Sequence, residues 1–130
     1  MITERLQFRI WLKDKKRMSY KSIYNISNTE AIKFCSDSDY IIMQCTGLRD
    51  KNGNLIYEGD IVSEKFAHGY PIEYYEKYYE VIWLERYVKF LPRVLNRDDF
   101  GDPLFFAQCD IIGNIYENPE LLKGAMTNER

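Results

Sequence analysis

A single histidine, His68, serves the whole 130-residue chain. It sits between Ala67 and Gly69 in a loop-like stretch, and neither a catalytic triad nor a His-based metal site can be built around it without distant groups. Cysteine is as sparse. Cys35, Cys45 and Cys109 are odd in number and spaced neither as a disulfide framework nor as a CxxC pair, so reduced and mostly buried thiols are expected. A charge excess of one sign is missing too: 18 Lys and Arg face 20 Asp and Glu, for a net charge of −2. Beyond Lys13, Lys15, Lys16 and Arg17 no basic run exists, so the large electrostatic footprint of a nucleic-acid binder is absent. Apolar runs are short, Tyr40 to Met43 and Val81 to Leu84, against the roughly 20 residues that span a bilayer, and the first residues lack a signal-peptide core. A cytoplasmic protein without membrane contact is expected. No GxxxxGKS or GxGxxG segment offers a phosphate cradle.

What is present suits one compact domain, expected over residues 1–123 with a frayed tail at 124–130. A chain of this size buries roughly two thirds of its unfolded surface and needs no metal or disulfide. Eleven Tyr, seven Phe and two Trp, 15% of the residues, favour strands over helices. Leu6, Phe8, Ile10 and Leu12 alternate with Gln7, Arg9, Trp11 and Lys13 as a half-buried strand, with Arg17 to Tyr20 as its hairpin partner. Ile32 to Cys35 reads as a short strand, Ser36 to Asp39 as a turn, and Tyr40 to Thr46 as a central strand apolar on both faces. Leu55 to Tyr57 and Ile61 to Phe66 follow as strands around turns at Asn52-Gly53 and Glu58-Gly59-Asp60. From Pro71 to Leu84 the tyrosines fit either a helix or a strand, with the strand favoured from about Lys77 to Glu85 and a partner from Arg86 to Leu91 ending before Pro92. Asn96 to Pro103 reads as a polar, mobile loop, and Leu104 to Gln108 and Cys109 to Ile115 as strand material bent at Gly113. Asn118, Pro119 and Glu120 open a short helix that stops near Gly124. Short strands at close spacing imply a mainly β fold, a small barrel or a sandwich.

No residue grouping commands a chemistry. Asp98, Asp99 and Asp102 lack the ligand spacing of a calcium loop, and turn formation already explains Asp50, Glu58 and Asp60, the one acidic set near which a divalent metal could be imagined. Tyr74, Tyr75, Tyr78 and Tyr79, with Trp83 and Trp11, are the candidate interface residues. Aromatics can also stack on bases, with Lys13 to Arg17 or Arg86, Lys89 and Arg93 supplying charge. Glu73, Glu76 and Glu80 among the tyrosines oppose phosphates and favour core or protein contact.

Three segments together carry a family resemblance: Phe8 to Trp11 with Met18 and Tyr20; Met43 to Val62, with Thr46-Gly47-Leu48, Asp50, Asn52-Gly53 and Ile56-Tyr57-Glu58-Gly59-Asp60-Ile61; and Ile112 to Leu122, with Gly113-Asn114, Tyr116, Glu117, Asn118 and Pro119. They resemble the YopX family of bacteriophages and prophages, over about residues 5–123. The resemblance implies a small SH3-like β-barrel with additional strands and a short C-terminal helix. It implies no reaction, no cofactor and no metal. Its shared residues are read as structural, the glycines for backbone angles and Asn52 and Asp60 for turn bonds. The expected function is a non-catalytic module binding a host or phage protein inside a bacterium, with a homo-oligomer as one form of it; single-stranded nucleic-acid binding is the alternative, and an enzyme the least expected.

Overall fold

In a computed structural model, the described residues are 6–22, 24–84, 89–95, 101 and 103–122, with the backbone alone for Val94 and residues 103–105. The architecture is mainly β. Among the described residues eight strands, β1 (Gln7–Leu12), β2 (Arg17–Ser22), β3 (Tyr40–Arg49), β4 (Leu55–Tyr57), β5 (Asp60–His68), β6 (Glu73–Leu84), β7 (Lys89–Val94) and β8 (Asp110–Asn114), form two four-stranded sheets in the orders β2-β1-β3-β4 and β7-β6-β5-β8. Every pairing is antiparallel.

The alternation in β1 places Phe8, Ile10 and Leu12 opposite Gln44, Ile42 and Tyr40 of β3. Helix α1 (Asn28–Ser36) packs over this face. The opposite face, with Arg9, Trp11 and Met43, looks toward the second sheet, so Trp11 on the polar side of its strand is half-covered. Its ring stacks on Tyr116 at 5.8 Å. The main core gathers Ile56, Val62, Tyr79, Val81, Phe90 and Phe106; Ile61 and Leu95 form a second cluster, with Ile112, Ile115 and Leu122 packed against it. Among the described residues no helix is long and apolar enough to cross a membrane.

Four local expectations are corrected. Ile32 to Cys35 is helical because Ser27 and Glu30 form a reciprocal capping box: the Glu30 N–H donates to Ser27 Oγ at 3.1 Å, and the Ser27 N–H to Glu30 Oε1 at 3.2 Å. Leu104 to Gln108 belongs to a 3-10 helix, Pro103–Gln108, not a strand. The partner of β6 runs through Pro92 rather than ending before it. Pro92 stands opposite Val81 on an edge strand, and its carbonyl, directed away from β6, accepts from the Gly101 N–H at 2.8 Å, so the missing donor interrupts no ladder bond. The short helix expected after Asn118 is present over the described residues 120–122, but the Asn118 Oδ1 accepts from the Asn114 N–H behind it, at 3.2 Å, in place of capping it. The ambiguous tyrosine segment is strand from Glu73 onward, longer than expected. Of the thiols, Cys45 and Cys109 are buried and Cys35 is exposed. Asp98, Asp99, Asp102, Arg86 and the tail 124–130 lie outside the described residues.

Candidate functional site

The shared string from Thr46 to Ile61 threads β3, two turns, β4 and the start of β5. Asp50 is buried at the first turn, where its Oδ1 accepts from the N–H groups of Asn52 and Asn54, each at 2.9 Å. Its Oδ2 accepts from the Ile111 N–H at 3.2 Å, tying the turn to β8. Gly53 takes φ +85° there, the left-handed conformation that side chains resist. Asn52 Nδ2 donates to Asp110 at 2.7 Å, and Lys51 pairs with the same carboxylate at 2.9 Å, which holds it below its ordinary range. Thr46 Oγ1 donates to the Ile56 carbonyl and accepts from the Leu48 N–H.

At the second turn the chain buries an ion pair. Arg9 Nη1 meets Asp60 Oδ1 at 2.8 Å, Arg9 Nη2 donates to the Glu58 carbonyl at 3.0 Å, and Asp60 Oδ2 accepts from the Tyr57 N–H at 2.7 Å. The guanidinium also lies 5.1 Å from the Tyr57 ring centroid, within cation–π range. Burial pushes the Asp60 carboxyl up to about 6, against the pull of Arg9 and the Tyr57 N–H. Burial likewise lifts the Tyr57 hydroxyl and the Cys109 thiol to about 12, so neither is a ready nucleophile at neutral pH. Arg9 Nε has no hydrogen-bond partner among the described residues. Gly59, at φ +88°, lies where an added Cβ would meet Met43 Sδ at 3.0 Å.

The string from Gly113 to Pro119 is a second knot. Asn114 Oδ1 accepts from the Tyr116 and Glu117 N–H groups, and its Nδ2 donates to Glu117 Oε1. A Cβ on Gly113 would sit 2.5 Å from Asn118 Oδ1. Two side chains of these strings are not spent on turns alone: Glu58 and Tyr116, with Glu80, Ile41 and Trp83, line a cleft of about 200 Å³ between the sheets. Among the described residues no group of three His, Cys, Asp or Glu side chains comes together as a metal site.

Two other surfaces are open. A groove of about 420 Å³ lies between α1 and the first sheet, lined by Phe8, Ile26, Phe34 and Ile42. The outer halves of β5 and β6 form an arm: among the described residues β8 pairs β5 only as far as Ser63 and β7 pairs β6 only from Tyr79. The sequence-predicted interface residues part company here. Tyr74 is 84% exposed on the arm, Tyr75 stacks on Phe66 at 5.6 Å, and Trp83 is 39% exposed against Phe90. Tyr78 packs on the Ile61 cluster and Tyr79, 7% exposed, belongs to the core, while Trp11 lies between the sheets with Tyr116. Sequence reasoning missed Phe66 and Ile72, which are exposed on the arm. The signal available was the hairpin itself, Phe66 to Tyr75 around Gly69 and Pro71.

A family model described as YopX protein matches residues 7–123. No curated protein matches the chain. The crystal structure of protein EF1440 from Enterococcus faecalis is similar at 26% identity and a TM-score of 0.56, covering 89% of this chain and 96% of that one.

Proposed function

This chain belongs to the YopX family, and from that premise we propose that it is a non-catalytic protein-interaction module whose contact surface is the β5–β6 arm. One observation carries the reading: Phe66, Tyr70, Ile72 and Tyr74 are all exposed along one hairpin, with Phe66 on one face of it and Tyr74 on the other. Apolar and aromatic side chains gathered on a projecting element are what protein interfaces use as anchors. Lys65, Glu73, Glu76 and Lys77 supply both signs of charge among them, which suits a protein partner. Glu73 and Glu76 stand where a phosphate backbone would have to run, so single-stranded nucleic acid fits this surface less well. The partner is a host or phage protein met inside a bacterial cell, and β3 to β8, bent at the bulge in β3, are read as the SH3-like barrel that carries the arm.

The test is capture from phage-induced cells with and without nuclease, using the wild-type chain and an Ile72→Ser/Tyr74→Ser variant. Nuclease-resistant partners that the wild type retains and the arm variant loses are expected. Partners that survive arm substitution, or that vanish with nuclease or fall steeply with salt, overturn the reading.

A further inference from the structure

The side chains of Glu58 and Tyr116 face the cleft of about 200 Å³ between the sheets. The backbone explains why a gap lies there. The Gly59 N–H donates to the Val81 carbonyl and the Glu58 N–H to the Gln44 carbonyl, at 2.9 Å each, so this turn bridges β6 and β3 at those two residues. Past it, among the described residues, β5 pairs with nothing on β6 beyond Glu80, and β4 with nothing on β3 before Cys45. Backbone groups alternate along a strand, so the Trp83 carbonyl points as that of Val81 does, and the Ile42 carbonyl as that of Gln44 does. Both are thereby directed toward the cleft that Trp83 and Ile42 line, and among the described residues neither meets a donor there.

The charge of the cleft is negative. Arg9, the cation behind the turn, is spent on Asp60 and the Glu58 carbonyl, and Arg93 pairs with Glu80 Oε1 at 2.7 Å. Among the described residues no cation pairs with Glu58, whose carboxylate accepts only from the Gln44 N–H, at 3.5 Å, the outer limit of a hydrogen bond. Burial, and then the charges of Glu58 and Glu80, push the Tyr116 hydroxyl above its ordinary range, so it stays a neutral phenol. Its ring is held by the stack on Trp11. Ile41, Ile115 and Trp83 supply apolar wall. An anion meets repulsion in such a cleft, and a hydrocarbon strips water from Glu58 without replacing it.

We infer that the cleft binds a guanidinium group, with the Glu58 carboxylate as its counter-ion and the Trp83 and Tyr116 rings as the aromatic surface beside it. A guanidinium carries several N–H donors fixed in one plane and needs acceptors on more than one side. The cleft offers them in the Glu58 carboxylate, the Tyr116 hydroxyl and the carbonyls of Ile42 and Trp83. An aromatic face attracts the same cation. An ammonium is a compact, strongly hydrated point charge with no plane to lay on a ring, so it uses this lining less fully. The inference goes beyond the reading above: the cleft shares no residue with the exposed arm, and the two sites stand or fall separately. The group arrives either on a free small molecule or on an arginine of a partner protein, and the test distinguishes the two.

Titration of the intact, isotope-labelled chain with Nα-acetyl-arginine methylamide, followed by NMR at the Trp83 indole N–H, tests it, with the citrulline counterpart as an uncharged probe of the same shape. The arginine probe is expected to shift the Trp83 signal, and the citrulline probe to bind about tenfold more weakly. Glu58→Gln should weaken the arginine probe by about tenfold as well. Its unfolding midpoint should stay in place, because the bonds that hold this turn use the Glu58 main chain. Tyr116→Phe keeps the ring against Trp11 and removes one acceptor, so it should weaken the arginine probe by a smaller factor. A capped Gly-Gly-Arg-Gly-Gly peptide separates the sources: tighter binding than the arginine probe assigns the cleft to a partner's arginine, and equal binding assigns it to a free guanidinium compound. A Trp83 signal that does not move, citrulline bound as tightly as arginine, or a folded Glu58→Gln that binds unchanged overturns the inference.

Discussion

Arg9 and Asp60 lie far apart in sequence and meet in the interior with side chains 3% exposed. Removing one member of such a pair leaves an uncompensated charge, so Arg9→Met should cost about 3–5 kcal/mol in chemical denaturation. Adding Asp60→Asn should return part of it, since the amide oxygen still accepts from the Tyr57 N–H. The same carboxyl sets a pH dependence. It titrates near 6 in the fold and near 3.8 as an ordinary carboxyl, so the fold holds the proton more tightly than the unfolded chain does. Its contribution to stability is therefore fullest below about pH 3.8, declines as the pH rises to about 6, and is flat above. Unfolding free energies of the wild type should lose on the order of 2–3 kcal/mol more across that window than those of Asp60→Asn. The acid residue and its turn were legible from the string Glu58-Gly59-Asp60; its partner was not, because Arg9 alternates with core residues as an ordinary solvent-facing position does.

At the scale of elements, α1 depends on its ends. It has nine residues and buries none of them, and a helix that short is marginal in water without tertiary support. Ser27→Ala should cost about 1 kcal/mol and speed amide exchange across Asn28–Ser36 while leaving the strands protected. Strands with a clear period of two, such as β1, and those bounded by Gly-containing turns, such as β4 and β5, could be read directly. α1 could not be read from Ile32 to Cys35, whose residues suit a strand as well as a helix; the signal lay upstream, in Ser27 and Glu30. The extent of β6 was hidden for a different reason. Tyr74, Tyr75, Tyr78 and Tyr79 satisfy two periodicities at once, and only pairing with β5 along its whole outer half decides between them. That same undecided stretch holds most of the candidate interface, so burial of Tyr79 and exposure of Tyr74 were out of reach of pattern alone.

The two sheets are one folding unit only if the contacts between them are strong enough to couple them. Trp11 sits between the sheets against Tyr116, and Trp83 lies on β6 against Phe90, so each tryptophan reports on a different region. Single-tryptophan variants, Trp11→Phe and Trp83→Phe, should show coincident unfolding midpoints by fluorescence, as a two-state domain of this length does. The Arg9–Asp60 pair and the bond from the Gly59 N–H to the Val81 carbonyl, which link β1 and the β4–β5 turn to the second sheet, are the contacts that make this so.

Pro92 closes one side of the second sheet. The outer rim of β7 carries a ring in place of a donor, the carbonyl of Pro92 itself is engaged by the Gly101 N–H, and the ring is fully buried. A strand edge without a donor and under cover gives disordered aggregation no ladder to extend. Pro92→Val places an N–H at that covered rim with the adjacent carbonyl already spent, and should cost about 1–3 kcal/mol in chemical denaturation. The residue that by its backbone chemistry belongs least in a strand is thus the one that seals this sheet's border.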